Sequence, residues 1–198
     1  MKHFFSDGRY VDFSKDGNIG DVRITDVLWL LSREKRYANE IDWSVLQHSI
    51  AVGIAAQQLY GWNEPLVRAA FTHDFGEAFY RDVPTPFKSK VGKAWDAMTH
   101  EVDSKLFAAL KLDIELGDED HELLAQVDKA VGYVEALLLH CEECADAYEN
   151  MEKIPAKVIS AASLGVQQAQ SIPVVDEYGN LSDVVCDMYL QISKTVNF

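Results

Sequence analysis

Cysteine is scarce in this chain, and the few thiols do not suit a disulfide framework. Three cysteines occur in 198 residues, at Cys141, Cys144 and Cys186. An odd number of cysteines in a sequence without an export signal predicts reduced thiols. The two cysteines of "HCEEC" share one face of an apolar helix, so we expect them in the core. A zinc site is the alternative, but structural zinc normally requires a second pair of ligands.

Basic residues are also in short supply. The chain has 18 Lys and Arg against 32 Asp and Glu, which gives a formal net charge of −14 and a pI near 4.7. Nucleic-acid affinity depends largely on neutralising phosphates with a basic patch, so we do not expect DNA or RNA as a partner. A small anionic substrate stays compatible with this charge if a metal ion or a few Lys and Arg side chains dominate one site.

Long apolar runs are missing as well. No segment approaches the roughly 18 apolar residues of a membrane span. The N-terminal "MKHFFSDGRYVDF" has no apolar signal-peptide core. We therefore expect a cytoplasmic protein that does not contact membranes.

What the chain does have is helical periodicity from about residue 25 onward. Apolar residues recur at three- and four-residue steps, most clearly between Val91 and Leu112. The segment "LVRAAFTHDFGEAFY" is predicted as one helix, and a long helix is predicted from about 120 to 150. Ser44 and Gln47 have the spacing of a capping box at the start of another helix.

The N-terminal "HFFSDGRYVDF" predicts a small β-hairpin with a tight turn at Asp7 and Gly8, both at positive φ. The predicted fold class is therefore all-α, a helical bundle with a small N-terminal β-hairpin. We expect one domain over residues 1–198, with a core at about 21–150 and C-terminal helices in 151–198.

Ionisable side chains interrupt three of the predicted helices. "FTHDFGEAFY" holds His73, Asp74 and Glu77 among phenylalanines, and His48 and Asp128 have small or apolar neighbours at helical spacing. Burying such groups without partners is costly. Two imidazoles and two carboxylates on three helices can converge on a divalent cation. Glu77, one turn beyond His73 on a helix, would be placed to act on a water molecule.

Each residue taken singly has a simpler explanation. His48 could be a hydrogen-bonded core histidine, Asp128 could pair with a lysine, and Glu77 could face solvent. The metal-like polar cluster at 118–121 is interpreted as the acidic start of a helix, because acids are favoured at helix N-termini.

The order of His48, His73-Asp74 and Asp128 resembles the H…HD…D pattern of the HD superfamily of metal-dependent phosphohydrolases. "HDFGEAFYRDVPTPFK" is similar to the H-D-x-x-E-x(4)-D-[LVI]-P-x-P-x-K segment of the bacterial and phage HD-domain 5′-deoxynucleotidases. "LSREKRYANEIDWSVLQHS" resembles the upstream stretch of the prophage branch. The resemblance covers roughly residues 21 to 140 and implies an HD-domain fold.

This resemblance implies a role for each motif residue. His48, His73, Asp74 and Asp128 correspond to the metal ligands, and Asp74 is also counted as catalytic. Glu77 corresponds to the catalytic residue that activates or positions the attacking water. The implied cofactor is one divalent metal ion, which could be Co, Mn, Zn, Ni or Mg.

The resemblance also implies substrate contacts. Arg36 corresponds to an arginine that meets the substrate phosphate, and Tyr37 to an aromatic residue that packs on the sugar and disfavours a 2′-hydroxyl. Asp82 corresponds to a contact with the 3′-hydroxyl, and Lys88 to a second phosphate partner. Arg36 could instead be a cation at a helix C-terminus. Arg33 or Lys35 could replace it at the phosphate, and the sequence departs from the branch at Gln47, where a Glu is usual.

The function implied is hydrolysis of the 5′ phosphate ester of deoxynucleotides, which releases a deoxynucleoside and phosphate. One alternative is a phage-type dNTP or dATP triphosphohydrolase that releases tripolyphosphate. A second is an HD phosphodiesterase acting on cyclic nucleotides or alarmones, and a third is a non-catalytic nucleotide-binding HD module. Relatives by resemblance self-associate, so we expect a homo-oligomer.

Overall fold

The architecture of the chain was obtained as a computed structural model. It describes residues 2–14, 17, 19–37, 41–61, 64–112, 114–140, 142–146 and 148–194. Two short strands, β1 (Lys2–Phe4) and β2 (Tyr10–Asp12), form an antiparallel hairpin. All other regular elements of the described chain are helical. The predicted all-α fold with a small N-terminal hairpin is therefore confirmed.

The helices follow one another with short connections. In chain order they are α1 (Ile24–Arg33), α2 (Val45–Tyr60), α3 (Glu64–Thr72), α4 (Glu77–Tyr80), α5 (Thr85–Val91), α6 (Lys93–Leu110), α7 (Asp118–Glu135), a π-helical turn (Ala136–His140), α8 (Glu142–Ala145), a 3₁₀ turn (Met151–Lys153), α9 (Ala156–Ser171) and α10 (Asp183–Lys194). Within the described ranges, none of these helices combines the length and the apolar character needed to cross a membrane.

Helix α2 is the centre of the fold. It packs against α9, α3 and α7, and most of its side chains are buried. Small residues allow this close approach: Gly53 faces the ring of Phe71 on α3, and Gly165 of α9 faces the backbone of Ala51. The predicted capping box is present, since Gln47 N donates to Ser44 Oγ at 3.2 Å and Ser44 N donates to Gln47 Oε1 at 3.0 Å. His48 therefore lies in the first turn of a buried helix whose N-terminus is capped.

Three predictions about local structure are wrong in detail. The turn of the hairpin is longer than two residues, because β1 ends at Phe4 and β2 begins at Tyr10; Gly8 has a positive φ of 86° and Asp7 does not. The helix predicted to run through "FTHDFGEAFY" ends at Thr72. The long helix predicted from 120 to 150 changes to a π-helical turn after Glu135.

The break after Thr72 is a tight turn over residues 73–76. Its hydrogen bonds join residues three apart, such as Phe75 N to Thr72 O at 3.0 Å and Glu77 N to Asp74 O at 2.9 Å. Such bonds wind the chain more tightly than an α-helix. His73 and Glu77 therefore do not share the face of one continuous helix, as the sequence had suggested. Gly76 fits this turn because Asp103 and Tyr80 occupy the space that a Cβ would fill.

Candidate metal centre

Two histidines and two aspartates from separate parts of the chain meet in one place. His48 comes from the first turn of α2, His73 and Asp74 from the turn after α3, and Asp128 from the middle of α7. His48 Nε2 lies 2.9 Å from Asp128 Oδ1 and 3.7 Å from Asp74 Oδ2. His73 Nε2 lies 3.2 Å from Asp74 Oδ2 and 3.6 Å from Asp128 Oδ1.

Three of these four residues form a donor set that fits a divalent cation. Ligand atoms of His48, His73 and Asp74 all lie within 4.8 Å of one another, and the group could hold a metal ion. Ligands bonded at about 2.0–2.2 Å to one cation are themselves about 3 Å apart, which is close to the spacing seen here. His73 Nε2 is buried and has no hydrogen-bond partner of good geometry among the described residues. A cation would satisfy that nitrogen.

Hydrogen bonds fix the orientation of both imidazole rings. His73 Nδ1 lies 2.9 Å from the carbonyl oxygen of Ala70, to which it can only donate. His48 Nδ1 lies 2.7 Å from Glu135 Oε1, a buried carboxylate that accepts. The Nε2 atoms of both rings consequently face the cluster. Metal-binding histidines in proteins commonly show this arrangement, with the second ring nitrogen held by a carbonyl or carboxylate.

The electrostatics of the cluster are dominated by its carboxylates. Burial and Arg36 lower the pKa of His48, but Glu135 and Asp128 outweigh them and raise it to about 9. Burial raises the pKa of Asp74, yet His73 and His48 lower it to about 2. The two histidines therefore sit in a strongly negative environment. Such an environment attracts cations, whether protons or a metal ion.

Glu77 lies beside the cluster, at the start of α4. Its side chain is almost fully buried, its Oε1 accepts from Lys88 Nζ at 3.0 Å, and its Oε2 is buried without a partner among the described residues. Burial raises the pKa of Glu77 to about 8, with Asp74 and Asp82 acting in the same direction and Lys88 opposing them. Glu77 Oε2 is thus an acceptor oxygen that no other described side chain occupies.

A cleft of about 980 Å³ opens onto the cluster. Asp74, Glu77 and Asp128 lie on its wall, and Asp128 is at the open side with 44% of its side chain exposed. All four predicted substrate contacts also line it: Arg36, Tyr37, Asp82 and Lys88. Their roles in binding stay predictions. A second cavity of about 620 Å³ between α2, α3 and α10 contains none of the predicted site residues.

Arg36 and Tyr37 are held in fixed positions at the cleft. Arg36 Nε lies 3.1 Å from Glu135 Oε2, and the guanidinium stacks over the Tyr37 ring at 5.6 Å from its centroid. The Tyr37 hydroxyl donates to the carbonyl oxygen of Gly132 at 3.0 Å. Tyr37 has a positive φ of 54°, which is uncommon outside glycine and indicates a backbone held in place by its surroundings.

The other basic candidates point elsewhere. Arg33 Nη2 donates to the carbonyl oxygen of Gly179 at 2.8 Å, and Lys35 Nζ bonds to Asp42 Oδ1 at 2.6 Å. Neither lines the cleft. Helix α1 ends at Arg33, so Arg36 is not the helix-terminal cation considered as an alternative. Among these three cations, Arg36 is the one at the cleft.

The remaining motif candidates have clear positions. The acidic cluster at 118–121 begins α7, as predicted. Cys144 is half-buried and lines the cleft, with its Sγ 3.0 Å from His140 Nδ1, so the expected core position is wrong for this residue. Cys141 lies outside the described residues.

Sequence reasoning missed Glu135, Lys129 and Tyr148. Glu135 is fully buried against His48, and Lys129 and Tyr148 line the cleft. Glu135 did carry a signal: it lies seven residues after Asp128, two helical turns further on, within the apolar run "VGYVEALLL". Lys129 and Tyr148 have no distinguishing pattern in the sequence.

No family model matches the chain, and no curated protein matches it.

Proposed function

We propose that this protein is a metal-dependent phosphohydrolase that cleaves the 5′ phosphate ester of deoxynucleotides. The observation that carries the proposal is the convergence of two imidazoles and two carboxylates at one end of a cleft that also contains two ion-paired cations, Arg36 and Lys88. A cluster serving only the stability of the fold would have no need of an adjoining cleft with cations. The resemblance to HD-domain nucleotidases supports the same reaction class.

A bound divalent cation supplies positive charge that polarises a phosphoryl oxygen and lowers the pKa of a nearby water. His48, His73, Asp74 and Asp128 are the residues that would hold it. The mixed nitrogen and oxygen donor set suits Co, Mn, Zn, Ni or Mg, and it does not select strongly among them.

Glu77 is the group proposed to accept the proton of the attacking water. Its Oε2 is buried and without a described partner, while Oε1 is held by Lys88 at 3.0 Å. The water oxygen forms a bond to phosphorus as the bond from phosphorus to the 5′ oxygen breaks. One proton of the water goes to Glu77 in its carboxylate form, and the departing 5′ oxygen takes up a proton from solvent to give the deoxynucleoside.

Charge on the phosphoryl group would be offset by Arg36 and Lys88. Both cations line the cleft, and each is anchored by a carboxylate, Glu135 for Arg36 and Glu77 for Lys88. Anchored cations need little reorganisation when charge develops in the transition state. The net charge of −14 is thus compatible with a phosphate ligand, because the local groups differ from the average surface.

The sugar is proposed to lie between Tyr37 and Asp82. The Tyr37 ring is fixed by the bond of its hydroxyl to Gly132 O, so it can form a rigid wall on one side of the sugar. Asp82 lines the same cleft and offers an acceptor for a 3′-hydroxyl. A fixed aromatic wall is expected to disfavour ribonucleotides, whose extra hydroxyl would need additional space.

A second candidate is a dNTP triphosphohydrolase, which would release tripolyphosphate from the same attack at the α phosphorus. Lys129 favours it, because this third cation lines the cleft and makes no ion pair within the part of the chain that the structure describes. A cleft of about 980 Å³ is also at the upper end of the range for small-molecule sites, which is about 300–1,000 Å³.

Product analysis tests the proposal. The purified protein is incubated with Co, Mn, Zn or Mg against ribo- and deoxynucleoside mono- and triphosphates, and His73→Ala serves as a control for contaminating phosphatases. Orthophosphate and nucleoside from deoxymonophosphates are expected. Tripolyphosphate from a dNTP would establish the second candidate, and no product from any nucleotide by a folded, metal-loaded protein would overturn both.

A further inference from the structure

Glu135 is the most deeply buried acid of the described chain, and both of its oxygens contact charged or chargeable groups of the site. The residue is 0% exposed. Its Oε1 lies 2.7 Å from His48 Nδ1, and its Oε2 lies 3.1 Å from Arg36 Nε. The two contacts reach one residue of the metal group and one residue of the cleft wall. The Glu135 carboxylate therefore contacts both the candidate metal group and the wall of the cleft.

Burying a carboxylate is expensive unless its partners compensate. An apolar residue of similar size at the end of α7 would avoid that cost, since Val131, Val134 and Ala136 are all buried around it. The presence of a buried charge at Glu135 is therefore best explained by its contacts with His48 and Arg36. Glu135 is not a metal-ligand candidate, because it faces the Nδ1 side of His48, away from the Nε2 atom that faces Asp128.

We infer that Glu135 is a positioning residue that sets the His48 ring for metal binding and the Arg36 guanidinium for phosphate binding at the same time. The second half of this inference rests on the proposed function, whereas the first half requires only a metal. A carboxylate can only accept, so Nδ1 of His48 must carry the proton and Nε2 faces the cluster. Helix α7 supplies both Asp128 and Glu135, and it thus provides one metal ligand and the support of another.

The ion pair between Glu135 and Arg36 has a separate consequence. Arg36 lies between α1 and α2, outside both helices. Its anchor is the ion pair to Glu135, aided by stacking on Tyr37. Without the anchor, the guanidinium would keep its charge but lose its fixed position. Substrate binding should then weaken even where metal binding survives.

Two variants separate these two effects. Glu135→Ala removes both contacts. Glu135→Gln keeps an oxygen that can accept from His48 Nδ1, but it has no negative charge to pair with Arg36. Its amide NH2 group would face the Arg36 guanidinium, and both groups are hydrogen-bond donors. Glu122→Gln, on the exposed face of the same helix, is the matched control. The readouts are Mn²⁺ affinity by calorimetry without any nucleotide, thermal stability by circular dichroism, and KM and kcat on the substrate found by product analysis.

We expect Glu135→Ala to weaken Mn²⁺ binding by about 10- to 100-fold, the usual effect of losing the partner of a ligating histidine. Glu135→Gln should weaken it only a few-fold (about 2- to 5-fold), and both variants should raise KM at saturating Mn²⁺. A residue that served stability alone would lower the melting temperature and leave both quantities unchanged.

The outcomes also distinguish this inference from the proposed function. If the wild type hydrolyses no nucleotide but Glu135→Ala still weakens Mn²⁺ binding, the function fails and the role at His48 stands. If the wild type is active and both folded variants bind Mn²⁺ and substrate as it does, the positioning role is overturned and the function stands. A wild type that binds none of Co²⁺, Mn²⁺, Zn²⁺, Ni²⁺ and Mg²⁺ would overturn both.

Discussion

His48 Nε2 and Asp128 Oδ1 lie 2.9 Å apart although 80 residues separate them in the chain. The contact exists because α2 and α7 pack directly against each other and His48 sits in the first turn of a buried helix. His48 and Asp128 are therefore held by the packing of two helices, whereas His73 and Asp74 come from the turn after α3. The distance between His48 and Asp128 should be as stable as the contact between these two helices.

Metal binding should be lost when a ligand is removed. His73→Ala is expected to bind no stoichiometric Mn²⁺ or Co²⁺, because His73 Nε2 faces the centre of the cluster. The wild type should gain about 2.7 kcal/mol of folding stability at a metal concentration 100 times Kd, and the variant should gain none. Elemental analysis and thermal denaturation with and without metal measure both effects.

His121→Ala is the control for this experiment, since His121 is exposed in the first turn of α7. A metal-dependent rise in stability that disappears in this control would place the metal at the 118–121 cluster instead.

Glu77 should be dispensable for metal binding and required for turnover. Glu77→Gln preserves the shape of the side chain and removes its ability to take a proton. We expect kcat to fall by about 10²- to 10⁴-fold, the usual contribution of a general base, with metal content unchanged. Glu115→Gln, on an exposed connection, is the matched control. A Glu77→Gln variant with wild-type kcat would remove Glu77 from the mechanism.

Lys129 should discriminate between the two candidate substrates. It lines the same cleft as Arg36 and Lys88, and as a third cation it is available to a β or γ phosphate. Lys129→Ala is expected to raise KM for a deoxynucleoside triphosphate by about 10-fold, the effect of losing a contact worth about 1.4 kcal/mol, and to leave KM for a monophosphate unchanged. The exposed Lys157→Ala serves for comparison. Equal effects on both substrates would contradict a role at the distal phosphates.

Asp103 should make stability depend on pH between about 4 and 6. Burial, aided by Asp74, raises the pKa of Asp103 to about 6 against the opposing hydrogen bond from Tyr80. The charged form of Asp103 is thus disfavoured in the folded state. The resulting penalty on folding stability is complete above pH 6. It decreases as the pH falls through 6 and vanishes near the unfolded pKa of about 3.9.

Asp103→Asn removes this penalty while keeping an acceptor for the Tyr80 hydroxyl. We expect the free energy of unfolding to rise by about 2 kcal/mol at pH 7 and by little near pH 4. Urea denaturation at several pH values checks this, with the exposed Asp146→Asn for comparison. A stability gain that is the same at all pH values would disprove the electrostatic explanation.

The contact between α2 and α9 should not tolerate a methyl group at Gly165. A Cβ there would overlap with the carbonyl oxygen of Ala51, which is backbone and cannot rotate away. Gly165→Ala is expected to cost about 1–3 kcal/mol of unfolding free energy despite the better helix propensity of alanine. Gly117→Ala, where nothing lies within 4 Å of the new Cβ, is the control. Equal stability of the two variants would contradict the tight packing.

Sequence patterns predicted the helical fold and the residues that meet at the metal group. That was possible because apolar periodicity marks buried helix faces, and His48, His73, Asp74 and Asp128 stand out where carbon side chains are expected. The break after Thr72 could not be predicted. In the folded chain Asp103, from a later helix, packs where Gly76 has no side chain, and such a contact between distant residues leaves no trace in the local pattern.

Side-chain contacts between different helices could not be predicted from the sequence either. Glu135 looked like one acid in an apolar run, and only the packing of α7 on α2 brings it to His48. Arg36 was predicted as a phosphate contact by resemblance, and the sequence gives no sign of its ion pair with Glu135. Local patterns record burial, whereas the identity of a partner depends on three-dimensional packing.

The π-helical turn at Ala136–His140 separates two parts of the cleft wall. Asp128, Lys129 and Gly132 precede it, and Cys144 and Tyr148 follow it. A π-turn closes its hydrogen bonds over five residues instead of four, so it accommodates one more residue than an α-helical turn. Each residue advances an α-helix by a rotation of about 100°. The extra residue therefore changes the directions in which side chains after the π-helical turn point, and it leaves those before the turn unchanged. A change in the length of this turn would therefore reorient Cys144 and Tyr148 at the cleft without moving Asp128 or Glu135.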